Sequence, residues 1–147
     1  MAPVTAVRAA VQESARDWSD AVRSAAQILV QIGSARSTYP QACVEVVQTH
    51  GPYIVFTPGL ALVHARPEAG GLALGVAVLR LDNPVSFGHQ ANDPVDVLVA
   101  FSSPDQDAHI ETLSTLAKAL GDGFADRIRA AGSEADLQQA VEGMLRD

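Results

Sequence analysis

The sequence predicts an α/β protein: a mixed central sheet of about five strands flanked by helices on both faces. Three observations lead there. The hydrophobic period is helical over residues 17–51, strand-like over 53–102, and helical again from about residue 110. The strand-like runs are almost continuously apolar, as expected of strands covered on both faces. No internal repeat or flexible linker divides the 147 residues, a length that fits one domain with a substantial core.

Residues 17–33, "DWSDAVRSAAQILVQIG", read as the first helix. Ala21, Val22, Ala25, Ala26, Leu29 and Ile32 recur at helical spacing, Ser19 is the expected N-cap, and Gly33 the expected residue past the end. Residues 37–51, "STYPQACVEVVQTHG", read as a second helix, capped by Ser37 or Thr38, with Pro40 in its first turn and Gly51 ending it. The period then changes. "YIVF" at 53–56 is a β-branched and aromatic strand. It runs into Pro58-Gly59 and four more apolar residues before His64. "LALGVAVLRL" at 72–81 and "VDVLVAFS" at 95–102 are further strands. The segment 82–94 between them is turn-rich, with Asn83-Pro84 and Asn92-Asp93-Pro94 as breakers. Helical spacing returns with Ile110, Leu113, Leu116, Ala117 and Leu120 on one face. "GFADRIRAAG" at 123–132 is a short helix, and a capping box of Ser133 and Asp136 opens the last one.

Composition narrows the function classes. The formal charge is −7, from 10 Lys and Arg against 17 Asp and Glu, and no basic run is present. That argues against nucleic acid and against an anionic membrane surface as partners. One cysteine, Cys43, cannot build an intramolecular disulfide framework, which fits a reducing compartment. The residues "MAPVTAVRAAVQES" carry Arg8 and Glu13 and lack a signal-like apolar stretch, and no apolar run approaches the roughly 20 residues of a membrane span. The expectation is a cytoplasmic protein.

The chemistry-bearing residues gather around "LALVHARPEAGG". Two residues apart on an extended chain means one face, so His64 and Arg66 project together if the strand continues past His64. Arg clasps phosphate or carboxylate with a fork of donors, and His is a nucleophile and proton carrier near neutral pH. His109 follows "SPDQD", where a strand gives way to a helix whose first amides favour anions. Both histidines follow apolar strand-like runs, and ligands in α/β sheets gather at strand carboxyl ends. The plainer alternatives are an ordinary hydrogen-bonded surface histidine at 64 and a solvated loop at Arg66-Pro67-Glu68. His50 and His89 read as structural or exposed, Cys43 as a small core residue, and Trp18, Tyr53, Phe56 and Phe101 as packing. No histidine pair has metal-ligand spacing, no Gly-rich phosphate loop precedes a helix, and no Gly-x-Ser-x-Gly elbow is present. Zinc is therefore not expected.

These motifs, Gly51-Pro52-Tyr53, Pro58-Gly59-x-Ala61, His64-x-Arg66-Pro67, Asn92-Asp93-Pro94-Val95-Asp96 and the later "SSPDQDAH" ending at His109, carry a resemblance. The chain resembles the enzyme IIA domain of the bacterial phosphoenolpyruvate-dependent sugar phosphotransferase system, mannitol/fructose superfamily, and is most similar to its ascorbate-type branch. The resemblance runs from roughly residue 22 to the C-terminus and implies a single domain over 1–147. It implies a phosphotransferase that accepts a phosphoryl group from the phosphocarrier HPr on His64. The group then passes to a cysteine of a IIB component, with a membrane IIC permease served indirectly and no cofactor required. His109 matches the family's second active-site histidine. Arg66 matches the branch's His-x-Arg motif, and its expected role as a phosphate contact comes from its chemistry. Leu60, Leu62 and Val63 are expected to form an apolar rim for docking both partners. Two positions depart from the family pattern: Val63 stands where proline commonly precedes the active histidine, and "VEVVQTHG" lacks the Arg-Glu pair of the mannitol and fructose branches. The alternative functions are a regulatory interaction protein of the same fold that signals by its phosphorylation state, and a binding domain without phosphotransfer.

Overall fold

A computed structural model describes residues 6–120 and 123–145 of the chain. In order, the elements are β1 (Ala6–Gln12), α1 (Trp18–Gln31), α2 (Tyr39–His50), β2 (Val55–Thr57), β3 (Leu60–Val63), a 3₁₀ turn (Pro67–Ala69), β4 (Gly75–Val85), β5 (Val95–Ser102), α3 (Gln106–Leu120), α4 (Phe124–Ala130) and α5 (Glu134–Leu145). The sheet order is β1-β4-β5-β3-β2. Strand β1 is parallel to β4 and β3 is parallel to β5, whereas β4–β5 and β2–β3 are antiparallel. This is the mixed five-stranded sheet expected from the sequence.

Two apolar layers cover it. Ala61, Val63, Ala77, Leu79, Leu98 and Ala100 face α1 and α2. Leu60, Leu62, Val76, Val78, Val97, Val99 and Phe101 face α3, α4 and α5. Successive residues therefore go to opposite cores, which is why these strands read as unbroken apolar runs rather than as an alternation.

Local chemistry sets the element ends, with some differences from expectation. Asp17, not Ser19, caps α1: its carboxylate accepts from the Asp20 N–H at 2.8 Å, and the Ser19 hydroxyl donates to the same carboxylate at 2.7 Å. Thr38 and Gly51 bound α2, with Pro40 in the first turn, and Gly33 and Gly51 take positive φ past the helix ends. Ser133 caps α5 by accepting from the Asp136 N–H at 3.1 Å. Strand β4 begins three residues later than its apolar run and continues through Asn83-Pro84, which the sequence reads as a turn. The β4–β5 register breaks between Arg80 and Val85, so Pro84 lies in the irregular part of the ladder, where a missing N–H costs little. Strand β1 was not foreseen. Its outer edge is closed by α5: the Gln138 side chain accepts from the Ala9 N–H at 2.6 Å and donates to the Val7 carbonyl at 2.9 Å, and Glu134 accepts from the Val11 N–H at 3.0 Å.

The expected apolar rim is corrected. Leu60, Leu62 and Val63 are buried, because β3 lies inside the sheet with a helical layer on each side. The exposed apolar side chains are instead Tyr53 (54%), Phe56, Leu72 and Ile110 (57%). Tyr53 and Phe56 are thus not core packing, and Ile110 does not share the buried face of Leu116 and Leu120.

Candidate active site

Because β3 and β5 are parallel neighbours, their carboxyl ends meet at one edge of the sheet. His64 leaves β3 there, and His109 sits in the first turn of α3, just beyond β5. The imidazole centroids are 5.6 Å apart. His64, Arg66, Gln106 and His109 line one open cleft of about 240 Å³, shared with His50 and Tyr53. All three sequence-predicted site residues are therefore brought together.

The His64 ring is held on two sides. Its Nδ1 lies 3.0 Å from the Leu62 carbonyl oxygen. A carbonyl can only accept, so Nδ1 carries the proton and Nε2 keeps the lone pair. One ring face lies on Phe101, with centroids 5.4 Å apart and planes 22° from parallel. Tyr53 meets the imidazole edge-on at 6.3 Å. Burial, above all, pushes the His64 pKa down; the Leu62 carbonyl opposes this, and His109 adds a smaller downward push. The ring is accordingly neutral at physiological pH, with an available nucleophilic nitrogen.

His109 is fixed by its own neighbours. Asp105 caps α3, its carboxylate accepting from the Ala108 N–H at 2.8 Å and its carbonyl from the His109 N–H at 3.0 Å. The His109 Nδ1 lies 3.3 Å from the Ser103 hydroxyl, and its ring packs 5.1 Å from Phe101. Burial lowers its pKa, and the Glu68 carboxylate in the 3₁₀ turn pulls the other way. Arg66 is exposed at the cleft and forms no ion pair among the described residues. Its forked donors are left for something else.

Beneath the site lies Tyr39, the first residue of α2. It is buried, and its hydroxyl is 2.8 Å from the Phe101 carbonyl, 3.2 Å from the Ala65 carbonyl and 3.1 Å from the Ala65 N–H. Cys43, one helical turn on, is a buried free thiol pushed up to about 12 by burial, as suits a core residue. Among the described residues no group of three or more His, Cys, Asp or Glu is placed to hold a metal ion. No helix among them is long and apolar enough to cross a membrane.

Sequence reasoning missed several cleft residues. His50 is exposed as expected, yet it lines the cleft and meets Tyr53 edge-on at 6.3 Å. Gln106 carries no signal beyond its neighbourhood to the motifs, and Tyr53, though part of Gly51-Pro52-Tyr53, reads as packing. Phe101 read as packing, and it does pack, but its partners are the two histidines.

Comparisons with known proteins identify the family and the fold. The family model described as the phosphoenolpyruvate-dependent sugar phosphotransferase system, EIIA 2, matches residues 4–143. An ascorbate-specific EIIA component from Shigella boydii is 36% identical over 135 residues, covering 90% of this chain and 87% of the relative. Among solved structures, the mannitol-specific cryptic phosphotransferase enzyme IIA of Escherichia coli superposes with a TM-score of 0.78 at 29% identity, covering 98% of this chain and 93% of that one. A chain from the Escherichia coli complex of enzyme IIA-Mtl with phosphorylated enzyme IIB-Mtl shares the fold, with a TM-score of 0.74 at 21% identity over 93% of this chain and 94% of that one. The chain belongs to the EIIA type 2 family of the phosphoenolpyruvate-dependent sugar phosphotransferase system.

Proposed function

We propose that the chain is a single cytoplasmic phosphocarrier domain that takes a phosphoryl group on Nε2 of His64 from phospho-HPr. It passes the group to a cysteine of a IIB component, in phosphorylation-coupled uptake of an ascorbate-like sugar. The observation that carries this reading is the meeting of His64, Arg66 and His109 in one cleft, with Nδ1 of His64 tied to the Leu62 carbonyl.

In the forward step the Nε2 lone pair forms a new bond to phosphorus. The bond from phosphorus to the donor atom of HPr breaks, and its electron pair returns to HPr. No proton need leave His64, because Nδ1–H stays on the Leu62 carbonyl. The phosphorylated ring is then cationic and a good leaving group, which suits onward transfer to a thiolate. The burden on the protein is positioning and charge stabilisation. A phosphoryl group brings about 1.5 to 2 negative charges to a chain already at −7. Arg66 supplies the cation, and the His109 imidazole a further donor.

The test is intact mass after incubation with phosphoenolpyruvate, enzyme I and HPr. The expected result is an acid-labile gain of one phosphate in the wild type and none in His64→Ala. Labelling of His64→Ala would remove the histidine from its role.

A further inference from the structure

The hydrogen-bond ladder between β3 and β5 runs from Leu60–Val97 to Val63–Ala100 and then stops. It stops where His64 begins. Beyond that point the backbone of Ala65, between His64 and Arg66, and the carbonyl of Phe101, whose ring underlies His64, have no partners from each other's strand. Both are buried. The Tyr39 hydroxyl fills the gap: it accepts from the Ala65 N–H at 3.1 Å and donates its one proton to a carbonyl, the shorter contact being Phe101 at 2.8 Å. A single oxygen replaces a missing rung of the sheet.

We infer that Tyr39 is a positioning residue for phosphoryl transfer: its hydroxyl ties the backbone between His64 and Arg66 to the strand that carries Phe101, and so holds the imidazole in its attacking tautomer and orientation. The inference rests on His64 being the acceptor. The imidazole is oriented by two contacts from different strands, the Leu62 carbonyl on β3 and the Phe101 ring on β5. Those contacts agree only while the two strand ends keep their spacing, and the ladder does not reach far enough to fix it. Tyr39 itself touches neither histidine in the hydrogen-bond pattern; it acts through Ala65 and Phe101. Burial pushes the phenol pKa up, so the proton stays on the oxygen at working pH and the rung is never lost to ionisation.

The variant Tyr39→Phe removes the oxygen and keeps the ring. Two readouts decide, both taken well below the melting temperature of the variant. In steady state against phospho-HPr, kcat is expected to fall by about tenfold to a hundredfold with KM unchanged, because the displaced groups orient the nucleophile and do not touch the docking face. In ¹⁵N-resolved ring correlations, His64 is expected to shift from Nδ1–H toward a mixture of tautomers, while His89 keeps its spectrum. Wild-type kcat with an unchanged His64 tautomer would reduce Tyr39 to a fold element and overturn the inference. If the variant does not fold, amide exchange on the wild type decides: the Ala65 N–H is expected to be protected like the Val99 amide of β5, and rapid exchange overturns it. Wild type and His64→Ala run in the same assay separate the two levels. Phosphate on His64→Ala, or none on the wild type, breaks the acceptor assignment. Phosphate on the wild type alone, with Tyr39→Phe at full rate, breaks only the Tyr39 assignment.

Discussion

A histidine loop lies beside each end of strand β5, one leading into Val95 and the other leaving its parallel neighbour β3, and the two handle polar groups in opposite ways. Before Val95, the loop is closed on itself. The Asp93 carboxylate accepts from the Ser86 hydroxyl and from the Phe87, Gly88 and His89 N–H groups at 2.7–3.2 Å. His89 accepts through Nδ1 from the Ala91 and Asn92 N–H groups at 3.1 and 2.9 Å. Past the carboxyl end of β5, where β3 also ends, the His64 cleft is open. The imidazole gives one hydrogen bond to the backbone and keeps a lone pair, and Arg66 has no described ion-pair partner. A histidine that spends its acceptor on the local backbone holds a loop together. One that spends its donor and keeps its acceptor is set up to attack. The two residue types are the same, and hydrogen-bond direction separates them.

Exchanging the two histidines for alanine tests this contrast most severely. His64→Ala is expected to lose phosphate acceptance completely and keep its fold, whereas His89→Ala is expected to take one phosphate and melt at a lower temperature. Equal labelling of the two variants would end the distinction. Next in size is Asp93→Ala, which leaves four donors without an acceptor. Partial burial works against ionisation of Asp93, but its hydrogen bonds from Phe87, Ser86, Gly88 and His89 outweigh this and hold the carboxyl below its ordinary value. With its partial solvent contact, the loss is about 1–2 kcal/mol. Denaturant unfolding is expected to show it, with the rate of phosphate acceptance unaltered; a slowed rate would join the two loops functionally.

Arg66→Ala comes next. It is expected to slow formation of the phosphorylated state by about tenfold, less than a fully buried donor would, because Arg66 is exposed. The effect should shrink with added salt. Kinetics matching the wild type would return Arg66 to the solvated loop. The smallest effect is in titration. The His64 ring proton, followed by NMR, is expected to titrate with a midpoint below the ordinary histidine value of about 6.5, because burial disfavours the charged ring. The native state therefore binds fewer protons than the unfolded chain, and stability falls as pH drops from about 6.5 toward that lower midpoint. Phosphate acceptance should persist to the same lower limit and then fail as the imidazole charges. A midpoint above 6.5 would contradict the neutral nucleophile.

How much of this could be read beforehand depends on how local the cause is. Strand β5 matches the apolar run at 95–102 at both ends, and α2 keeps the expected proline and glycine, because each signal lies inside its own element; Thr38 precedes α2 as expected, but its hydroxyl donates to the Ala69 carbonyl rather than capping the helix. His64, Arg66 and His109 stand out as candidates because their types and spacings carry chemistry directly, and the fold brings them to one cleft. Strand β1, "AVRAAVQ", has three alanines and an arginine, and its pairing is decided by β4 and its cover by α5. None of those causes is local. Tyr39 is the same case at the site: it reads as a helix start, and its hydroxyl partners lie 26 and 62 residues away. Buried or exposed placement failed for a different reason. Leu60, Leu62 and Val63 adjoin His64 in sequence, but an extended chain inside a sheet covered on both faces turns every side chain into one core or the other.

The amide of Gln138 completing the outer rung of β1 has a consequence for the order of synthesis. At translation rates of about 5–20 residues per second, the 129 positions separating Ala9 from Gln138 take roughly ten seconds to emerge. Within that interval, from the emergence of β4 until α5 follows, the nascent sheet has an uncapped margin able to recruit a strand from a neighbouring polysome product. The hazard ends when the last helix leaves the ribosome and folds back over the first strand.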